Sequence, residues 1–254
     1  MSEHANNPSA SNELRYLAVI PARGGSKRVL RKNLRLLGGK PLLSYTIEAA
    51  NQSHLLDKVI VSTDDKEIAE LALSSGVEVP FLRPAELAQD SSAVIAALQH
   101  LVENIEKDGI VIHALVLLQP TSPFRTAAHI DEAISLFETS GADTVTAVRE
   151  SREHPYYSWT ISEKKLVPFF TMKHQSMVRQ ELPSALVENG SIYIIKRTLL
   201  DSDKLYGENT VPYLMDNHSS LDIDTMEDIH WAEFLLSQVD AGDRERVELP
   251  EKLA

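Results

Sequence analysis

Short apolar runs alternate along the chain with longer stretches whose apolar residues recur at helical spacing. The pattern predicts strands at 17–20, 59–61, 114–118, 144–148, 191–195 and 221–224, and helices at 42–50, 68–73, 92–105, 127–137 and 225–238. Such alternation is typical of βαβ units, and continuous apolar strands are typical of a parallel sheet buried on both faces. We therefore expect an α/β, Rossmann-like fold with a mostly parallel sheet and helices on both faces.

Three segments depart from this alternation. Residues 1–15 are polar and aperiodic, which predicts a disordered tail, and residues 241–254 resemble an exposed acidic tail. Residues 16–240 are expected to form one domain. Within it, residues 149–184 are rich in aromatic side chains, which predicts an inserted subdomain. Its aromatic residues would pack either on another subunit or over the core of the same chain.

Composition narrows the classes of protein that the chain can belong to. The 254 residues include 25 Lys and Arg against 37 Asp and Glu, and the net charge of -12 disfavours nucleic acid and anionic membranes as partners. The absence of cysteine excludes disulfides, thiolate zinc sites and cysteine nucleophiles. No apolar run approaches the roughly 20 residues of a membrane span, and the polar N-terminus does not resemble a signal peptide. We expect a cytoplasmic protein without a membrane partner.

A basic loop follows the first predicted strand. Between Arg23 and Lys40 there are seven Lys or Arg residues and no acid. Ligands of open α/β sheets bind beyond the carboxyl ends of strands, where this loop lies. Gly24 and Gly25 let the backbone approach a ligand, and the basic side chains can neutralise phosphate oxygens. The loop therefore indicates a polyphosphate site, with a solvated basic loop as the alternative. It matches neither the Walker A pattern nor the dinucleotide fingerprint.

Two aspartates flank Ile223 near the C-terminus. If residues 221–224 form a strand, Asp222 and Asp224 project from one face while Ile223 points into the core. Paired carboxylates together with phosphate oxygens are ligands that Mg²⁺ prefers. The alternative is a pair of solvent-facing acids, with Asp224 capping the following helix. Next to a polyphosphate loop, the pair predicts half of a metal–nucleotide site.

Two further turns lie near predicted strand or helix ends. The segment from Gln119 to Arg125 contains two prolines and would present the Gln119 amide at the same sheet edge as the basic loop, or serve only as a strand-to-helix turn. The segment from Arg83 to Ser92 ends in Asp-Ser-Ser, which suits a helix cap or contact with an anion. On the last helix, the stripe of Trp231, Phe234 and Leu235 is interpreted as core.

Several of these stretches together resemble one family, the acylneuraminate (CMP-sialic acid) cytidylyltransferases and their relatives for other nonulosonic acids. The matching stretches are Ile20 to Lys27 with Lys32-Asn33, Val61 to Asp64, Arg83 to Leu87, Leu118 to Arg125, Asn189 to Ile194, and Asp222 to Asp224. They occur in family order over about residues 16–238. The 3-deoxy-manno-octulosonate cytidylyltransferases typically carry Gln-Gly-Asp-Glu-Pro where this chain has Gln-Pro-Thr-Ser-Pro from Gln119.

The resemblance implies a nucleotidyltransferase domain over residues 16–240 that transfers CMP from CTP to the anomeric hydroxyl of a nonulosonic acid and releases pyrophosphate. By similarity, the nucleotide would be bound by Arg23, Lys27, Lys32, Asn33, Arg83, Ser91 and Ser92. The sugar would be bound by Gln119, Arg179 and Asn189. Asp222 and Asp224 would hold Mg²⁺ or another divalent cation, act with Lys32 in catalysis, and one of them would help to deprotonate the attacking hydroxyl.

The family is also homodimeric, and its inserted subdomain reaches into the neighbour's active site. Here that subdomain is the aromatic-rich segment, and Arg179 matches a position that contacts the sugar across the dimer. The chain departs from sialate-specific members just before Asn189, where Val187-Glu188 replaces an Arg-containing stretch; this favours a relative such as legionaminic or pseudaminic acid. Another sugar nucleotidylyltransferase and a non-catalytic nucleotide-binding protein remain the alternatives.

Overall fold

The computed structural model describes residues 13–89 and 93–240, the side chains of residues 174, 175, 239 and 240 excepted. The strands are β1 Glu13–Pro21, β2 Leu36–Leu37, β3 Lys40–Pro41, β4 Lys58–Ser62, β5 Val111–Leu118, β6 Thr144–Glu150, β7 Trp159–Ser162, β8 Lys165–Pro168, β9 Leu186–Lys196 and β10 Thr210–Leu214. The helices are α1 Leu42–Asn51, α2 Lys66–Ser74, α3 Val94–Glu106, α4 Ala127–Ser140, α5 Met172–Gln175 and α6 Met226–Asp240. Strand β1 begins three residues before the predicted start at Tyr16, and the remaining predicted tail residues, 1–12 and 241–254, lie outside the described residues.

Six strands form one sheet in the order β10-β6-β9-β5-β1-β4. Strand β1 pairs in parallel with β4 and β5, and β10 pairs in parallel with β6. Strand β9 runs antiparallel between β5 and β6. The predicted Rossmann-like class with a mostly parallel sheet is confirmed.

Both faces of the sheet are buried, as the continuous apolar strands predicted. In β1, Ala18 and Ile20 belong to a core shared with α1, α2 and α4, whereas Leu17 and Val19 belong to a second core shared with α3. A side chain points to the opposite face at each step along a strand, so helices on both faces require apolar residues at consecutive positions. A third, smaller core joins Ile223 to α6.

One local prediction was wrong, and one strand was missed. Residues 221–224 form a loop rather than a strand, because among the described residues a single backbone bond joins them to the turn after β5, from Ile223 N to Thr121 O at 2.8 Å. Strand β10 was not predicted, since Pro212 interrupts its short apolar pattern; a proline is tolerated there because β10 is at the edge of the sheet.

The segment between β6 and β9 contributes nothing to the six-stranded sheet. It contains the antiparallel pair β7–β8 and the short helix α5. Several of its large apolar side chains are exposed, among them Trp159, Ile161, Leu166, Phe169, Phe170 and Met172. In the described part of the chain, no helix has the length and apolar character that crossing a membrane requires.

Candidate active site

A cavity of about 550 Å³ opens beyond the carboxyl ends of β1 and β5. It is lined by Pro21, Arg23, Gly25, Ser26, Lys27, Arg28, Val29, Lys32, Asn33, Gln119, Pro120, Thr121, Asp222 and Asp224. The basic loop, the proline-rich turn and the two aspartates therefore face one space. Its volume is in the range of small-molecule sites.

Lys32 connects the basic loop to the acidic one. Its ammonium donates to the Ile223 carbonyl at 2.7 Å and to Asp224 Oδ1 at 3.0 Å, while Arg28 approaches Asp224 Oδ2 at 3.5 Å. The Lys32 side chain is 16% exposed and that of Asp224 52% exposed, so the pair lies at the cavity mouth. The Lys32 ammonium and the Asp224 carboxylate are thus adjacent at the opening of the cavity, where a phosphate group would enter.

Internal hydrogen bonds hold the basic loop against the sheet. Asn33 Nδ2 donates to the Arg23 carbonyl at 2.8 Å, and Gly24 N donates to Asp64 Oδ1 at 2.9 Å. The Ser26 hydroxyl donates to the Val29 carbonyl and accepts from Lys32 N at 3.3 Å. These bonds fix the backbone of the loop whose basic residues line the cavity, which lowers the entropy cost of ordering the loop around an anion.

Asp222 lies deeper than Asp224, and burial raises the pKa of its carboxyl, which the Thr121 hydroxyl and the Lys32 ammonium partly offset. Asp222 Oδ1 is buried and has no well-aligned hydrogen-bond partner in the described part of the chain. A buried carboxylate oxygen without a partner is costly unless a cation or donor completes it. Asp222 and Asp224 together therefore fit a divalent cation, although residues 13–89 and 93–240 contain no cluster of three or more candidate metal ligands.

A second cavity, of about 660 Å³, adjoins the first. Its lining comprises Gln119, Arg149, Arg152, Glu188, Asn189, Gly190, Tyr193, Asn217, Ser220, Leu221, Asp222, Glu227, Asp228 and Trp231. Gln119 and Asp222 line both cavities. The site thus has two compartments that meet at an amide and a carboxylate.

Two of the predicted residues that the structure describes, Arg83 and Arg179, lie in neither cavity lining. Arg83 is 8% exposed and donates to the Ser62 carbonyl at 2.7 Å, so it braces the end of β4. Arg179 donates to the backbone carbonyls of Ser151 and Arg152 at 2.8 and 2.5 Å within the inserted segment. Ser91 and Ser92 lie outside the described residues.

Asn189 is placed at the second cavity, where it is 4% exposed. Its Nδ2 donates to Ser220 Oγ at 2.9 Å, and its Oδ1 accepts from Ser191 N at 3.0 Å. The neighbouring Glu188 accepts hydrogen bonds through Oε2 from Tyr206 at 2.9 Å and from Tyr193 at 3.3 Å. Burial is the main cause that raises the pKa of Tyr206 to about 12.

Sequence reasoning missed several residues of the second cavity. Arg149 entered the sequence analysis only as the first residue of the inserted segment, Arg152 was not singled out, and no local motif marks either of them. Trp231 was interpreted as core, but it is 49% exposed, stacks on Phe234 with ring centroids 5.1 Å apart, and lines the cavity. The buried face of α6 is formed instead by Ile229 and Ala232, one helical step away.

The model of the family described as cytidylyltransferase matches residues 17–239. The chain belongs to that family. It is 39% identical to the CMP-N,N'-diacetyllegionaminic acid synthase of Legionella pneumophila over 86% of this chain and 94% of that protein. It is 30% identical to the pseudaminic acid cytidylyltransferase of Campylobacter jejuni over 87% and 96% of the two chains.

Two further comparisons place this cytidylyltransferase among its relatives. It is 37% identical to the N-acylneuraminate cytidylyltransferase of Escherichia coli over 86% of this chain but 51% of that protein, so it spans about half of its length. The solved CMP:2-keto-3-deoxy-manno-octonic acid synthetase complexed with CTP superposes with a TM-score of 0.67 at 17% identity, covering 89% of this chain and 99% of the other. This second likeness establishes the shared fold alone.

Proposed function

We propose that this cytidylyltransferase transfers CMP from CTP to the anomeric hydroxyl of a nonulosonic acid of the N-acetylneuraminic, legionaminic or pseudaminic type. The anomeric oxygen forms a bond to the α-phosphorus, the bond from that phosphorus to the bridging oxygen of the β-phosphate breaks, and pyrophosphate leaves. The observation that carries the proposal is the meeting of two cavities at Gln119 and Asp222. A transferase needs such a junction, because its two substrates must react while both are bound.

The first cavity is assigned to CTP. Arg23, Lys27 and Lys32 supply positive charge, Asn33 holds the loop that carries them, and in-line displacement at phosphorus depends on charge neutralisation more than on covalent catalysis. Arg83 supports this compartment from behind β4, and Ser91 and Ser92 remain predicted contacts to the nucleotide.

Asp222 and Asp224 are assigned as the ligands of Mg²⁺, or of another divalent cation, whose bound charge would neutralise phosphate oxygens. The buried Oδ1 of Asp222, which lacks a well-aligned hydrogen-bond donor in the described part of the chain, supports this assignment. Asp222 is also the carboxylate that lines both cavities, and we assign to it the removal of the proton from the attacking hydroxyl. Lys32, bonded to Asp224, keeps the second carboxylate oriented.

The second cavity is assigned to the sugar acid, with Gln119 and Asn189 as its contacts. A homodimer would complete it, since Arg179 is absent from the lining of this cavity in the single chain, and exposed apolar side chains on the inserted segment suit burial against a second copy. A cytoplasmic location suits both substrates. The carboxylate of Glu188 at this cavity favours sugars that present hydrogen-bond donors to it.

Pyrophosphate release with CTP and Mg²⁺ tests the proposal across N-acetylneuraminic, legionaminic, pseudaminic and 3-deoxy-manno-octulosonic acids and a sugar 1-phosphate. Release with a nonulosonic acid is expected. Release with a sugar 1-phosphate alone would indicate another nucleotidylyltransferase, and CTP binding without release would indicate a non-catalytic protein. Asp224→Asn should abolish turnover with the fold intact, whereas Asp108→Asn, at an exposed turn after α3, should not; wild-type rates in Asp224→Asn would refute the assignment.

A further inference from the structure

Arg125 is a buried guanidinium that the proposed reaction has not used. It is 3% exposed, and it donates through Nη1 to the carbonyls of Gln119 at 3.1 Å and Ser191 at 2.8 Å, and through Nη2 to Thr46 Oγ1 at 2.5 Å. In the described part of the chain no carboxylate forms an ion pair with it. Burying a charge without a counter-charge is costly, so its position calls for a compensating function.

The two carbonyls that Arg125 holds lie where the central strands separate. The pairing of β5 with β9 ends at Leu118 and Ile192; Gln119 is the first residue after β5, and Ser191 is the next residue of β9. Beyond that point no backbone hydrogen bond joins them in the described structure, and buried carbonyls need other donors. The Arg125 guanidinium therefore bridges the two carbonyls where the backbone hydrogen bonds between the strands have ended, and it fixes the distance between Gln119 and Ser191.

That distance determines where the Gln119 side chain lies. Gly190 has a φ of +74°, and a Cβ placed on it would lie 3.3 Å from Gln119 Oε1, so the Gln119 amide packs against the glycine backbone. Gln119 thereby lines both cavities, whereas Arg125 lines neither. A shift between the strand ends would move the amide away from the junction without removing any group from the cavities.

We propose that Arg125 is a positioning residue that sets the Gln119 amide at the junction of the two cavities, through the carbonyls of Gln119 and Ser191. The expected effect on sugar kinetics rests on the proposed function, which assigns the second cavity to the sugar acid. The buried guanidinium is retained because a neutral side chain of the same length cannot donate to both carbonyls and to Thr46.

A double-mutant cycle between Arg125→Met and Gln119→Ala tests the proposal. Arg125→Met should lower kcat/KM for the nonulosonic acid about tenfold or more and change KM for CTP less than about threefold. The double variant should be no worse than Gln119→Ala alone, because Arg125 acts through Gln119. Losses that multiply, or an equal loss toward CTP, would overturn the proposal. Arg125→Lys keeps the charge and should recover part of the activity.

The matched control is Arg197→Met. Arg197 is also partly buried, donating to both carboxylate oxygens of Glu106 at 2.8 Å, but it follows the far end of β9. Arg197→Met should lose about as much stability as Arg125→Met while keeping the wild-type kcat/KM for the nonulosonic acid. Equal losses of kcat/KM in both variants would show that Arg125 has only a structural role.

A measurement without turnover separates this proposal from the proposed function. Hydrogen exchange of the amides over residues 186–192 should accelerate in Arg125→Met and not in Arg197→Met. Unchanged exchange in Arg125→Met would overturn the positioning assignment even if the wild-type enzyme turns over. An inactive wild-type protein with the predicted exchange would refute the proposed function and leave the coupling of Arg125 to the strand ends supported.

Discussion

Replacing Gly24 with alanine should disturb the basic loop through one contact. A Cβ at this position would lie 2.5 Å from Asp65 Oδ2 and 2.8 Å from Asp65 Cβ. Both distances are shorter than a Cβ tolerates to a non-bonded atom. Asp65 cannot move freely, because its Oδ1 caps α2 by accepting from Glu67 N at 2.9 Å and Ile68 N at 3.2 Å. Either the cap breaks or the loop shifts and loses the bond from Gly24 N to Asp64.

The two responses set the size of the effect. Losing an N-cap costs about 0.5–2 kcal/mol, and forcing an extra methyl into a packed site costs about 1–3 kcal/mol. The two costs do not add, because breaking the cap makes room for the methyl group and shifting the loop spares the cap. We therefore expect Gly24→Ala to lose about 1–3 kcal/mol of unfolding free energy. For a chain of this size each kcal/mol lowers Tm by about 2–4 °C.

Gly25→Ala is the matched control for stability, because a Cβ there meets nothing within 4 Å and neither glycine has a positive φ. Its unfolding free energy should stay within about 0.5 kcal/mol of wild type or rise slightly, since alanine restricts the unfolded chain. Urea unfolding compares the two variants, and KM for CTP should rise about tenfold in Gly24→Ala as the loop shifts. Equal stability of Gly24→Ala and Gly25→Ala would refute the packing argument.

Three further predictions concern charge. Lys32→Met should lower kcat/KM for CTP by about tenfold or more, while urea unfolding changes by less than about 1 kcal/mol, because the ion pair with Asp224 is partly exposed. Asp222→Asn should abolish turnover, yet its Tm at pH 7 should equal or exceed that of the wild type, since asparagine has a similar shape but carries no buried charge. A marked fall in Tm would contradict this. Burial lowers the pKa of His129 below 6.5, and its Nδ1 accepts from Thr126 N at 3.2 Å, so the unfolded chain binds the proton more readily and stability falls as the pH drops below about 6.5. His129→Gln should flatten the change in Tm between pH 7 and 5 relative to wild type, whereas His230→Gln, exposed on α6, should not.

Some of the site was predictable because it depends on short-range patterns. The apolar residues of β1, buried alternately on its two faces, predicted a sheet covered on both sides, and that class requires ligand loops at the carboxyl ends of strands. The reversal of charge from Arg23 onward then marked one wall of the cavity, and the proline-rich turn at Gln119 marked another. Each of these signals is contained within about twenty consecutive residues.

Other features had no local signal, or had one that indicated the wrong local structure. The aspartates of the 221–224 segment share a cavity although the segment is not a strand, because Ile223 is anchored in a core that also contains Leu37 and Leu42. The second cavity joins Arg149, Tyr193 and Trp231 from three distant parts of the chain. Trp231 was wrongly interpreted as core, because helical spacing identifies an apolar stripe on a helix but does not show whether another part of the chain packs on that stripe.

Periodicity records which faces of an element avoid water, since burial favours apolar residues at regular intervals. It therefore sufficed to predict the fold class and the end of the sheet at which the first cavity lies. The junction of the two cavities required the packed chain. Lys32 meets Asp224, and Arg125 meets Ser191, across long sequence separations, and such contacts depend on strand order and on where a ladder ends. The distances at this junction are set by many weak contacts acting together, which no single stretch of sequence records.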